Sequence, residues 1–173
     1  MANIFFASDH HFNHANILTF KREDGSPLRD FKDVDEMNEH IILKHNSVVR
    51  PNDRVYFLGD VIMSRKNSAL AILCRLNGEK ILIKGNHDLC DPEAYLEYFK
   101  DIRGSHQFSG IIMTHIPIHP ESLGRWGVNI HGHLHHQVVR KYNTKIPDER
   151  YFNVSMERIN YTPISLEEIK KTS

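Results

Sequence analysis

Short apolar runs recur along this chain, and most of them end abruptly on polar, chemistry-bearing residues. Asn3 to Ala7 (NIFFA) predicts a buried strand, and Ser8 to His14 (SDHHFNH) the loop at its C-terminal end. His14 to Phe20 suits a short helix, and the polar stretch 21–32, with its Gly and Pro, a loop. Asp33 then caps a helix running to about Val49. Glu36 stands three residues on, the spacing of a capping box, and Val34, Met37, Ile41, Ile42 and Val48 roughly follow the helical period. Arg54 to Leu58 (RVYFL) predicts a second strand, followed at once by Gly59-Asp60, and Ser64 caps a helix through Ala69, Leu70, Leu73 and Leu76. Lys80 to Lys84 (KILIK) predicts a third strand, followed at once by Gly85-Asn86-His87-Asp88. Asp91-Pro92 fits the cap and first position of a helix ending near Phe99. Further strands are expected at 110–114, 128–131, 137–142 and 151–155, and Ser165 to Glu168 repeats the capping-box spacing before a last short helix.

The order, βα units first and mostly strands later, predicts a mixed sheet system covered by helices. No repeat, low-complexity tract or linker divides the 173 residues, so one domain over 1–173 is expected. The polar motifs fall where apolar strands end, which is where open α/β sheets build their sites.

Composition sharpens this picture in three places. Lys+Arg and Asp+Glu are both 22, so no global basic field singles out nucleic acid as a partner, although a local patch is compatible with it. Two cysteines, Cys74 and Cys90, are too few for a disulfide scaffold or a thiolate zinc site and fit a reducing, cytoplasmic compartment. No run suits a signal peptide or a membrane span. The third feature is the 13 histidines, because imidazole ligates metals and exchanges protons near neutral pH.

At the predicted strand ends stand Asp9, His11, Asp60, Asn86, His87, Asp88, His115, His133 and His135. They are oxygen and nitrogen donors, suited to Mn²⁺, Fe²⁺, Ni²⁺ or Zn²⁺ rather than copper(I) or an iron–sulfur cluster. In Asp9-x-His11 and His133-x-His135, residues two apart in an extended loop project the same way, so both of each pair can face one pocket. Gly59 and Gly85 let the backbone turn sharply and present Asp60 and Asn86.

Read in order, SDHH (8–11), LGD (58–60), GNHD (85–88), TH (114–115) and HGHLH (131–135) resemble the motif set of the calcineurin-like metallophosphoesterase superfamily. The resemblance runs from the first strand to about Ser155, and the details around His14 and Pro163 look like its small bacterial and phage members. It implies a four-layer α-β-β-α sandwich of two mixed sheets flanked by helices. It also implies two divalent cations, Mn²⁺ before Fe²⁺, Ni²⁺ or Zn²⁺, one held by Asp9, His11, Asp60 and His135. The other would take Asp60, Asn86, His115 and His133, with Asp60 bridging. The activity implied is hydrolysis of a phosphomonoester or phosphodiester by a hydroxide shared between the metals, with a small phosphate ester or nucleotide as substrate. His87 would protonate the leaving oxygen, and Asp88 would orient that imidazole.

Two alternatives stand beside this reading. One is a nuclease or cyclic-nucleotide phosphodiesterase using the same site; the other is a non-enzymatic interaction module, whose relatives typically lose ligands that this chain retains. After Asp60 the chain reads VIMSR, not the GDxVDRG of protein phosphatases and dinucleoside polyphosphatases, which speaks against both. Of the remaining histidines, His14 and His131 are candidates for contact with substrate phosphate or for support behind the ligands. His10 should point the other way. His119 and His136 are rim candidates, and His40, His45 and His106 read as surface positions. In the 21–32 loop, Arg22 and Arg29 are either solvated or a substrate clamp. Cys90 reads as a packed small residue.

Overall fold

The computed structural model describes residues 2–172. Two mixed sheets stack face to face. The first carries, in order across the sheet, β4 (Asp101–Arg103), β3 (Glu79–Ile83), β2 (Arg54–Phe57), β1 (Ile4–Ala7) and β9 (Ile164–Ser165). All pairs are parallel except β9 against β1. The second is β5 (His106–Phe108), β6 (Ile111–Met113), β7 (Val128–His131) and β8 (Tyr151–Asn153), parallel except for the β5–β6 pair.

Alternation along the strands divides the core. Phe6, Tyr56, Leu58, Ile81 and Ile83 point into the space between the sheets and meet Ile111, Met113, Ile130 and Val154 of the second sheet. Their neighbours Phe5, Ala7, Val55, Phe57 and Leu82 point the other way, against Met37, Ile41 and Ile42 of α1 (Val34–Val48). Tyr95 of α2 (Pro92–Leu96) joins that outer cluster. The far face of the second sheet is covered more thinly, by the 3₁₀ segment Pro120–Arg125, whose Leu123 packs on Ile112 and Tyr151. Helix, sheet, sheet and a slender outer cover make the expected four layers. The last helix, α3 (Leu166–Thr172), sends Ile169 into the inter-sheet core.

Helix starts follow the sequence closely. The Asp33 carboxylate accepts from Glu36 N–H at 2.9 Å, while the Glu36 carboxylate accepts from Lys32 N–H at 2.6 Å rather than from the cap residue itself. Ser165 and Glu168 close a full reciprocal box, Glu168 Oε2 accepting from Ser165 N–H at 2.9 Å and Ser165 Oγ from Glu168 N–H at 3.2 Å.

Three expectations are corrected. The segment expected to be a Ser64-capped α-helix is a 3₁₀ helix, Asn67–Arg75, entered at Lys66 without a side-chain cap. Three residues per turn aligns Leu70, Leu73 and the following Leu76 on one face, and all three are buried. The strand expected at 137–142 is a hairpin-like excursion with one isolated bridge, Arg140 to Pro147. Beyond Val139 its residues up to Pro147 are exposed, so no sheet partner is recruited. His45, expected at the surface, is buried on α1 and stacks on Phe57, its Nε2 donating to the Asn77 carbonyl at 2.9 Å. Strands β4, β5 and β9 have no counterpart among the expectations, because two or three residues are too few to display an alternating pattern. Among the described residues no helix is long and apolar enough to cross a membrane.

Candidate metal centre

The motif residues converge at the C-terminal ends of β1, β2, β3, β6 and β7. Their backbone is strained there: Asp9, His11, Asp60, His133 and His135 all have positive φ, between 50° and 67°. For residues with a side chain this region costs on the order of 1–2 kcal/mol each, so the surroundings must impose it. Asp9 N–H donates to the Gly59 carbonyl and His11 N–H to that of Asp60, both at 3.0 Å, stitching the two loops together. Gly132 is required by contact rather than by φ. A Cβ there would lie 1.9 Å from Ser8 Oγ and 2.3 Å from Asp9 Oδ2. Gly85 likewise lets Asp60 Oδ1 come within 2.3 Å of where a Cβ would be.

Each side chain is then fixed by the atom it turns away from the centre. Asp9 Oδ2 accepts from His133 N–H at 2.8 Å and Ser155 Oγ–H at 2.9 Å, and Oδ1 is buried with no hydrogen-bond partner among the described residues. Asp60 Oδ1 accepts from His87 N–H at 2.8 Å. Its Oδ2 lies 3.4 Å from His115 Nε2 and 3.8 Å from His11 Nε2. His115 Nδ1 sits 2.7 Å from the Leu58 carbonyl and must carry the proton, which leaves the Nε2 lone pair facing inward, 2.9 Å from Asn86 Oδ1. His135 Nδ1 faces Glu157 Oε1 at 3.2 Å, leaving its Nε2 inward in the same way.

Two donor groups result. Asp9, His11 and His135 form one and Asp60, His115 and His133 the other, the ligand atoms within each lying no more than 4.8 Å apart. The chemistry of the atoms fits cations: among the described residues both ring nitrogens of buried His11 and Oδ1 of Asp9 make no hydrogen bond, and His11 Nε2 lies 3.8 Å from Asp9 Oδ1 and from Asp60 Oδ2. Leaving buried polar atoms unpaired costs about 1–3 kcal/mol each. A divalent ion removes that cost, and the donor set suits Mn²⁺, Fe²⁺, Ni²⁺ or Zn²⁺.

Proton affinities carry the same imprint. Burial opposes charge on Asp9, yet His11, His135 and His115 together hold its carboxyl well below the usual range. Burial likewise opposes ionisation of Asp60, and His115 overcomes it. Conversely, burial disfavours the His115 imidazolium, but Asp60 and Asp9 raise its pKa to about 9. His135 is raised as well, Glu157 outweighing burial. The pocket therefore holds anionic carboxylates that attract cations, and an incoming metal competes with protons on His115 and His135.

All seven expected ligands meet at this centre, and half-buried His87 stands beside them, its ring centroid 6.0 Å from that of His11. Three other expectations change. Asp88 does not orient His87: Oδ2 accepts from Asp60 N–H at 2.9 Å and Gly85 N–H at 2.8 Å, and Oδ1 from Val61 N–H at 2.9 Å. It ties the GD and GNHD loops together from beneath. His131 is fully buried behind the centre, where its Nδ1 meets the Gly132 carbonyl oxygen at 2.8 Å and its ring packs edge-on to Tyr151, so it cannot touch substrate. Arg29 is no clamp. Its guanidinium is buried, donating through Nε to Glu157 at 2.7 Å, through Nη1 to the His10 carbonyl at 2.8 Å and through Nη2 to that of Asp9 at 2.5 Å. His119 is exposed, and His14 is half-buried with its ring 5.4 Å from that of His11. His10 turns away, as expected, and stacks on Phe57 at 4.8 Å. Cys90 is packed and buried.

Glu157 stands directly behind the centre and was passed over in the sequence. Its side chain is buried between Arg29 and His135, and the only hint in the sequence is an acid closely following the apolar run that ends in Val154, Ser155 and Met156.

The chain is 39% identical over 175 residues to MJ1445, an uncharacterized protein of Methanocaldococcus jannaschii, covering 99% of this chain and 91% of the archaeal one. The chain belongs to the family of that protein. The crystal structure of AQ665, a protein of unknown function from Aquifex aeolicus, superposes with a TM-score of 0.74 at 30% identity, over the full length of both chains. No family model matches the sequence. The fold of this chain is thus also that of AQ665, and neither protein's name carries an activity to transfer.

Proposed function

We propose that this protein is a metal-dependent phosphoesterase working through a dinuclear centre. One observation carries the reading: Asp60 Oδ2 lies between His11 Nε2 and His115 Nε2, at 3.8 Å and 3.4 Å, so a single carboxylate oxygen joins two three-donor groups. Asp9, His11, Asp60 and His135 would hold one divalent ion and Asp60, Asn86, His115 and His133 the other, Mn²⁺ being the first candidate. Bound there, the pair supplies Lewis acidity, lowering the pKa of water and offsetting charge on a phosphate. The protein's own groups do the rest. His87, half-buried at the edge of the centre, donates a proton to the departing ester oxygen. Asp88 holds the loops of Asp60 and Asn86 in register, and Glu157 fixes the His135 tautomer. A docking module without chemistry is disfavoured, because no donor of either group has been replaced.

The test is hydrolysis of p-nitrophenyl phosphate and its bis ester. Metal-stripped protein should be inactive and recover with Mn²⁺, and Asp60→Ala and Asn86→Ala should each lose activity while remaining folded. Full turnover in the presence of a strong chelator would overturn the reading.

A further inference from the structure

Beside the metal centre runs a groove of about 430 Å³ lined by Phe20, Lys21, Leu28, Leu134, His136 and Gln137 together with His133 and His135. Its two walls are the 20–28 hairpin, closed by Leu28 N–H to the Phe20 carbonyl at 2.8 Å, and the loop after His133. Gln137 Nε2 donates to Glu23 at 3.3 Å and ties one wall to the other.

Phe20 stands out in this groove. Among the described residues it is the most exposed phenylalanine, at 47%, while Phe6, Phe12 and Phe57 are fully buried. A succession of rings leads to it from the centre: His135 to His11 at 5.2 Å, His11 to His14 at 5.4 Å, and His14 edge-on to Phe20 at 6.0 Å. An open aromatic ring two steps from a metal ligand is a stacking platform, since water gains nothing from the ring and a planar group does. Buried Leu28 and half-buried Leu134 continue the apolar lining, whereas Lys21, His136 and Gln137 bring polar groups to it. A bare sugar needs several fixed donors and acceptors, and here the Gln137 amide is already engaged by Glu23. An acyl chain would leave Lys21 and His136 unused. A flat heterocycle with an apolar face and a polar edge uses both parts of the lining.

We propose that this groove receives a nucleobase, so that the substrate of the centre is a nucleotide ester rather than a sugar or alkyl phosphate. The inference rests on the phosphoesterase reading for what happens at phosphorus, but base binding does not. The base stacks on Phe20, its polar edge meets His136 and Lys21, and its phosphate reaches the centre beside His133 and His135.

The experiment has two arms. In the first, metal-stripped protein is mixed with adenosine, and saturation-transfer NMR reads contact at the base H2 and H8 protons. Transfer is expected for the wild type and for Phe20→Trp, and is lost in Phe20→Ala. In the second, Mn²⁺-loaded protein is given nucleotide esters and glycerol phosphate. Wild type should favour the nucleotides, and Phe20→Ala should lower the nucleotide-to-glycerol-phosphate ratio of kcat/KM about tenfold, chiefly through KM. Absence of base transfer in the wild type, or an unchanged ratio in Phe20→Ala, overturns the inference. Hydrolysis without nucleotide preference sinks the base pocket and leaves the phosphoesterase standing. Base transfer from a protein that hydrolyses no phosphate ester does the reverse.

Discussion

Glu157 Oε1 lies 3.2 Å from His135 Nδ1 and also accepts from Arg29 Nε at 2.7 Å, so one buried carboxylate orients an imidazole of the candidate centre and neutralises the guanidinium that holds the Asp9 loop. Glu157→Gln keeps the shape but weakens the grip on the His135 tautomer. Mn²⁺ affinity, measured by titration calorimetry, should fall about 10–100-fold. Glu157→Ala additionally leaves Arg29 buried without its partner and should cost about 3–5 kcal/mol of stability by urea denaturation.

Asp88 and His87 are neighbours with separable roles. Asp88→Ala strips three buried backbone N–H groups, those of Asp60, Val61 and Gly85, of their acceptor. At about 1–3 kcal/mol for each buried donor left unpaired, it should lower stability severely or prevent folding. His87→Ala should leave the denaturation midpoint nearly unchanged and reduce turnover about 10²–10⁴-fold. Equal destabilisation by both would mean that His87 is structural.

Gly132→Ala should damage the centre without touching a ligand. Its Cβ would have to displace Ser8 Oγ and Asp9 Oδ2, which lie 1.9 Å and 2.3 Å from it. The expected result is a loss of about 1–3 kcal/mol in stability together with weakened Mn²⁺ binding. An unaltered metal stoichiometry and affinity would show that the Asp9 loop is freer than its contacts indicate.

Acid should weaken the fold through a histidine outside the candidate metal centre. Burial pushes His45 from 6.5 down to about 4, so between those values the unfolded chain binds a proton that the folded chain refuses. The contribution of His45 is therefore intact above pH 6.5 and lost as pH falls through 6.5 towards 4, by about 3 kcal/mol in all. Fully buried His10, also held low by burial, acts in the same direction. Urea denaturation at pH 7 and pH 4.5 should show a smaller loss for His45→Gln than for the wild type.

Much of the candidate centre was legible in the sequence because its donor residues are spelled in short motifs immediately after apolar strands. A strand ending in SDHH, LGD or GNHD delivers its polar residues to one sheet edge whatever the rest of the chain does, and all seven expected ligands gather there. Asp9 and Asp60, 51 positions apart, were foreseeable partners for that reason. Part of the first sheet was legible too, since β1, β2 and β3 are each built on a short apolar run, whereas the pairing of two sheets was an implication of the resemblance alone.

Tertiary structure decided what no local pattern encodes. Arg29 looks like a solvated loop residue until packing places it beneath Asp9, and Asp88 looks like a partner for His87 until three N–H groups from two loops claim it. Glu157 lies 128 positions from Arg29, and nothing local predicts that they share a buried salt bridge. His45 and Asp53 differ little in sequence context from surface residues, yet both are buried. Apolar periodicity and turn residues act over a few positions and are written locally. Which polar group supports which depends on where distant segments of chain meet once the core has closed.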